Sequence, residues 1–459
     1  MRRRTCLLPV LVAALSLAPQ ASPADPPAWP PPLKGATNGT AALTTELFLK
    51  VPDAAKADGA APFVVAKAPP TVEFAFHRDL GPDAVNRRLW SSWGDICAAS
   101  DGRVYCAVGD HGNDAGGDAR CFLYRWDPAR KVLEQITDMN VVVPPAAGQP
   151  AWSKVHAAID EGPDGAIYFS CTLNAGSRAG QPQYKWTDKL PGGQLYRFDP
   201  KTGRTAVFAD LPPRRCTATS ALYRTRGIWW CNLEAGGGDA LYGFDLATKK
   251  VVFQSPDGAV GFNRNFALGR DGSVYFNGPD GIRRYDPKTN AIVPTRASFP
   301  GSPGMRASTR ETADGCVYGV TQGTNQLFRY RPAAGEVKLL GPTWLAGEYT
   351  TVAVLSPDER FVYYLPGAHG RAARYGTPVV QYEIATGRRK VLAFLAAAFE
   401  AAWDYVPGGT YGVKLSGDGG KLYVNFNGHA GDRTRPRAMK PNGFGLCGFA
   451  AIHVPASER

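Results

Sequence analysis

Apolar and polar residues alternate along most of this chain, in short runs broken by Gly, Pro, Asp and Asn. That period of two is the mark of half-buried antiparallel strands, and helical periodicity is nearly absent outside a turn or two near residues 392–403. One strand type recurs seven times: an acidic-Gly type of turn, an apolar residue, then an aromatic. The seven aromatics are Tyr105, Tyr168, Trp229, Tyr275, Tyr318, Tyr363 and Tyr423. A following strand reads Leu123-Tyr124-Arg125-Trp126-Asp127-Pro128 in one unit and Leu195-Tyr196-Arg197-Phe198-Asp199-Pro200 in the next. Proline after the aspartate ends that strand because it cannot donate to the ladder.

Each unit thus supplies four strands, and seven such units predict an all-β fold: a seven-bladed β-propeller of four-stranded antiparallel blades, one domain over residues 71–459. The seventh unit stops after its third strand. Residues 72–76, Val-Glu-Phe-Ala-Phe, resemble the last strand of other units, so an N-terminal strand is expected to complete blade seven and close the ring. Closure removes exposed strand edges.

The N-terminus changes the picture of location. Arg2, Arg3 and Arg4 precede an apolar stretch over residues 7–18, and Ser22 and Ala24 fit a cleavage site ahead of Asp25. Residues 1–24 read as a secretory signal peptide, and no run is long enough for a transmembrane segment. The expectation is an exported protein, periplasmic or extracellular, acting as a monomer. Residues 25–70 are Ala/Pro-rich and read as a linker or surface arm. Loss of the three arginines takes the net charge from +12 to +9. Nucleic acid is a weak partner for an exported chain, and no phosphate-binding loop or nucleophile elbow is present. Eight cysteines remain after the signal; Cys97 and Cys106 flank the Asp101-Gly102 turn evenly and are expected to face each other across a hairpin.

Candidate chemistry comes from one register. Six residues beyond the seven aromatics stand His111, Asn174, Ala235, Gly281, Thr324, His369 and His429. Three of the chain's 6 histidines share this slot, and in a closed ring their blades are neighbours. His111, His369 and His429 are therefore candidate ligands for a divalent metal such as Mn²⁺, Ca²⁺ or Zn²⁺. The same blades carry the long loops, with Arg178, Arg371, Arg374, Arg433 and Arg435. Loops entering the first strands add His156, Arg264, Asn265, Arg306 and Tyr349 to that face. Asn174 and these arginines suit a carboxylate or sulfate ligand, and His156 and Tyr375 are candidate bases. A histidine inherited by blade duplication, a solvated arginine face and a cluster of Asx turns are the structural alternatives for the same residues.

The Asp-Gly turns and the Tyr196-Arg197-Phe198-Asp199-Pro200-Lys201-Thr202-Gly203 run resemble secreted propellers of the NHL, streptogramin lyase and SMP-30/gluconolactonase group, over most of residues 71–459. The outline is also similar to oligogalacturonate lyases, although the chain has no His-x-His pair. That resemblance implies a metal-assisted lyase on an acidic glycan or small molecule. The alternatives are a non-catalytic glycan- or protein-binding propeller, or an SMP-30-type lactone hydrolase with Asn265 near its metal.

Overall fold

The computed structural model describes residues 29–56, 63–81, 89–110, 118–145, 147, 151–172, 192–234, 238–345, 347–431 and 444–459. Seven sheets follow one another along the chain, five of them built only from consecutive strands with the innermost first. Blade one runs from the split inner strand, Trp90–Ser91 and Cys97–Ala98, through Val104–Asp110 and Cys121–Asp127 to Val132–Asp138. The protein is a seven-bladed β-propeller, and its only helix of more than four residues among the described ones is Leu395–Trp403.

The repeat owes its constancy to aspartates at two turns, both present in units one, two and four. In the first turn Asp101 Oδ1 accepts the Arg103 N–H at 2.9 Å, and Asp101 Oδ2 receives the Tyr105 hydroxyl at 3.1 Å. Asp164 does the same for Ala166 and Tyr168, at 3.1 Å each. Turn and aromatic are thus one hydrogen-bonded device. At the second turn Asp127 takes the Ala129 and Arg130 N–H groups, and Asp199 takes those of Lys201 and Thr202. These are Asx turns, which free the strand from needing a backbone partner at its end.

Ring closure follows the expected route. Thr71–Phe76 pairs antiparallel with Leu446–His453 from Thr71–His453 to Phe76–Gly448. Val72, Phe74 and Phe76 are fully buried, and the Phe74 ring stacks on Trp403 at 4.9 Å. A β-carbon on Gly448 would lie 2.3 Å from the Phe74 ring, so only glycine fits beneath that ring. The Ala/Pro-rich stretch continues the seam. Thr40–Thr44 adds a fifth strand outside Thr71–Phe76, Phe48 is fully buried against Phe399, and Val64–Val65 pairs in parallel with the outer strand of blade six.

Blade-to-blade contacts also carry polar locks. Asn427 of blade seven exchanges two bonds with the Ser92 backbone of blade one, at 2.6 and 2.8 Å. Asn277 repeats this with Met305, between blades four and five, at 2.7 and 2.8 Å. These amides satisfy inner-strand groups that no ladder reaches.

One expectation is corrected. Cys97 pairs with Tyr105, and Cys106 pairs with Tyr124. The offset of one residue sends the two thiols to opposite faces of blade one, because side chains alternate along a strand. All eight described cysteines are buried and free.

Candidate functional site

The inner strands of all seven blades wall an open cavity of about 190 Å³ on the propeller axis. Its mouth opens on the face that carries the loops between second and third strands. The blade-six loop bends over it. Gly367 and Ala368 donate to the Tyr349 carbonyl at 2.9 and 3.0 Å, and His369 takes a left-handed backbone, φ 62°. That conformation is unusual for a residue with a side chain and projects the imidazole inward over the mouth.

Four basic side chains meet there. His156 Nδ1 lies 3.1 Å from the Ala218 carbonyl, which fixes the proton on Nδ1 and leaves Nε2 as an acceptor for Arg264 Nη1, with which it is in contact. Burial first, then the charges of Arg264 and Lys154, hold the imidazole well below its ordinary pKa, so it is neutral. Arg306 Nε donates to the Tyr349 hydroxyl at 2.7 Å. Burial, then neighbouring Arg306, lowers the Arg264 pKa, with Glu234 opposing. Neither guanidinium has a carboxylate within ion-pair range among the described residues, and Arg264 Nε is buried without a hydrogen-bond partner.

Rings form the opposite wall. Trp93 packs against His156, His369, Tyr411 and Phe444 with centroids 4.7–5.8 Å apart. Lys154 Nζ lies 4.8 Å from the Trp93 ring centre. The Tyr411 hydroxyl contacts His369 Nε2, and burial, with Tyr349 nearby, raises the phenol pKa, so Tyr411 stays protonated. Glu234 sits beside Arg264, its carboxyl pushed up to about 7 by burial.

Deeper in the channel the charge reverses. Lys414 Nζ is 2.5 Å from Asp95 Oδ2. Asp160 accepts the Leu222 N–H at 3.1 Å and has no ion pair among the described residues. Burial opposes the Lys414 charge, but Asp95 and Asp160 hold the ammonium above its ordinary range. Burial pushes Asp160 up to about 6, against the pull of Lys414.

That shift has a sign. A carboxyl raised in the fold binds more protons than in the unfolded chain, so stability falls as pH rises from about 4 to 6 and the penalty persists above. Asp160→Asn keeps the acceptor for Leu222 and removes the charge. It should raise the melting temperature at pH 8, by the equivalent of about 1–3 kcal/mol, with little gain at pH 4. Thermal melts of both proteins at the two pH values check it.

The structure gathers His156, Arg264, Asn265, Arg306 and His369 of the sequence candidates around the cavity and its mouth. Asn265 Nδ2 donates to the Ser308 carbonyl at 3.1 Å. Tyr375 is instead buried in the apolar layer under blade six, with Trp344 at 6.5 Å, and Arg371 and Arg374 are exposed. His429 Nδ1 lies 2.8 Å from the Ala430 carbonyl. His111, Asn174, Arg178, Arg433 and Arg435 lie outside the described residues. Among the described residues no three His, Cys, Asp or Glu side chains converge on a metal position, and His369 Nε2 is engaged by Tyr411. The remaining histidines are buried or bridging: His77 beside Cys106 at 3.5 Å, its pKa pushed down to about 4 by burial, and His453 at 3.2 Å from Glu73.

No protein-family profile and no curated protein matches the chain. Solved structures do. The WD40 repeats of RRP9 are 8% identical, with 83% of this chain and 97% of that chain covered at a TM-score of 0.51. The extracellular domain of BT4673 from B. thetaiotaomicron is 14% identical, with 80% of this chain and 38% of that chain covered at 0.46. This chain therefore spans about 38% of the length of that structure. The likeness is one of fold. It reaches the propeller and stops short of NHL, lyase or SMP-30 kinship, and propellers host unrelated activities. No helix among the described residues is long and apolar enough to cross a membrane.

Sequence reasoning passed over Trp93, Asp95, Asp160, Tyr411 and Lys414. Asp160, Tyr411 and Lys414 stand on inner strands and Trp93 and Asp95 in the break of blade one's inner strand, where an ionisable or large aromatic residue interrupts small and apolar ones. A charged residue on the innermost segment of blades one, two and seven was the available signal.

Proposed function

We propose that this exported propeller binds an acidic, carbohydrate-like ligand at the mouth of its central channel. The observation that carries the reading is the pair Arg264 and Arg306, brought together with Glu234 nearby but with no ion pair among the described residues, and with one buried guanidinium nitrogen unpartnered. Holding two guanidinium charges in a partly dry mouth costs stability unless an anion joins them. A carboxylate or sulfate supplies two oxygens for that fork geometry. The ring wall of Trp93, Tyr349 and Tyr411 gives the flat apolar face on which the C–H side of a sugar packs.

Calorimetry with galacturonate oligomers, and with sulfate as the bare anion, tests this. Binding of the uronate oligomers more tightly than their neutral galactose counterparts is expected; equal affinity for charged and neutral sugars would remove the role of the arginines.

The Tyr411–His369 contact beside the arginines favours a second reading, elimination at the carbon next to a uronate carboxylate. Arg264 and Arg306 would neutralise the carboxylate, unprotonated His369 would take the proton from the carbon beside it, and as the carbon–carbon double bond forms and the C–O bond breaks the protonated Tyr411 would deliver a proton to the leaving oxygen. Such turnover yields an unsaturated product absorbing in the near ultraviolet, and a flat absorbance trace with bound uronate oligomer leaves binding alone.

A further inference from the structure

We propose that the ligand is dipolar, its acidic end held between Arg264 and Arg306 and a cationic amino group held deeper in the same channel by Asp160 beside Asp95. This rests on the reading of the mouth as an anion site and adds the second pole. Both ends belong to one continuous cavity, walled by the same inner strands. His156, in the break between Lys154–Val155 and Asp160–Glu161, stands four residues from Asp160 on the innermost segment of blade two, and Tyr411 and Lys414 stand three apart on the inner strand of blade seven. For extended chain that separation is roughly 10–13 Å.

The deep cluster is one cation short. Two carboxylates, Asp95 and Asp160, face a single ammonium, and Lys414 is committed to Asp95 at 2.5 Å. Among the described residues Asp160 holds only the Leu222 N–H, so one face of its carboxylate is left to the channel. A second and independent vacancy lies in the same wall. Ser308, 7% exposed, carries a buried hydroxyl without a hydrogen-bond partner. An ammonium donates three hydrogens, enough for Asp160 and for a further oxygen of the channel wall. The raised carboxyl of Asp160 agrees with this unmet demand. A monoanionic ligand would leave the deep end as it is; a zwitterion of the right length satisfies both ends at once. Amino sugars joined to acidic sugars, and short peptides, have this chemistry.

Matched probes separate the two ends. Octanoate and 8-aminooctanoate share length and acid group and differ only in the terminal ammonium; the pair is repeated with four- and six-carbon chains. Calorimetry at pH 7.5 on the mature chain should show 8-aminooctanoate binding at least tenfold more tightly than octanoate. In Asp160→Asn, a variant expected to fold at least as stably as the parent, that advantage should shrink to about twofold or less. If acid and amino acid bind equally at every length, the deep pole is overturned while the anion site stands. If the preference survives in Asp160→Asn, the ammonium is held elsewhere and the inference fails. If neither probe nor sulfate binds, the mouth reading fails and takes the inference with it.

Discussion

Removal of residues 71–77 should cost the protein most of its stability, read as a melting temperature lowered by more than about 15 °C or as failure to fold to a monomer. The strand Thr71–Phe76 is paired on both sides, to Leu446–His453 and to Thr40–Thr44. Its fully buried Val72, Phe74 and Phe76 each contribute about 1.5–3 kcal/mol by burial alone. Together that is comparable to the whole net stability of a typical domain, about 5–15 kcal/mol. The deletion also unseats Thr40–Thr44 and lays bare the outer edge of Leu446–His453, a template for pairing with other chains. Phe74→Ala is the milder test. It empties a site packed by Phe76, Phe399, Trp403 and Tyr405 and should cost about 3–5 kcal/mol. Circular dichroism melts and size-exclusion chromatography decide both; an unchanged melt for the deletion would mean that the ring is closed by other contacts.

The same strand shows what the sequence made legible. Val72, Phe74 and Phe76 announce a buried strand, and a seventh unit lacking its last strand announces where it goes. The propeller followed because each aspartate is tied to a local hydrogen bond, Asp101 to Tyr105 and Asp199 to Lys201, so the pattern in the chain is also the pattern in the turn. Register was harder. Cys97 and Cys106 look symmetric about Asp101-Gly102, yet the turn shifts the pairing by one residue, and one residue is the difference between two faces. The site was half legible for a related reason. Loops entering the inner strands drew attention to His156, Arg264, Arg306 and Tyr349, because polar residues there have no structural duty. Tyr375 was misleading: its loop folds back as the 3-10 turn Ala372–Tyr375 and buries the ring under blade six. Asp160 and Lys414 were passed over because a lone charge on an innermost strand does not say which other charges it will meet, and those strands converge only when the ring is closed. Convergence of seven separate segments on one axis leaves no local trace in any of them.

Arg264→Met and Arg306→Met should each weaken binding of an acidic ligand by roughly 10- to 150-fold, the worth of a charge-assisted hydrogen bond at about 1.5–3 kcal/mol. Methionine fills much of the arginine volume and deletes the charge, so the ring wall around Trp93 keeps its packing. The two variants should differ in what they do to the empty protein. Arg264 carries the buried, unpartnered nitrogen and feels Arg306 as a like charge, and its removal relieves that cost against the loss of its contacts with His156 and Glu234, so the melting temperature should change little. Arg306 donates to the Tyr349 hydroxyl, and its loss frees that phenol, so a small decrease is expected. The double variant should bind charged and neutral sugars alike. Lost affinity together with preserved or raised stability is the signature of residues held in place for a ligand, since a purely structural pair would lose both together. Retained affinity in the double variant would move the anion site away from the channel, to the exposed Arg371 and Arg374 on the same face.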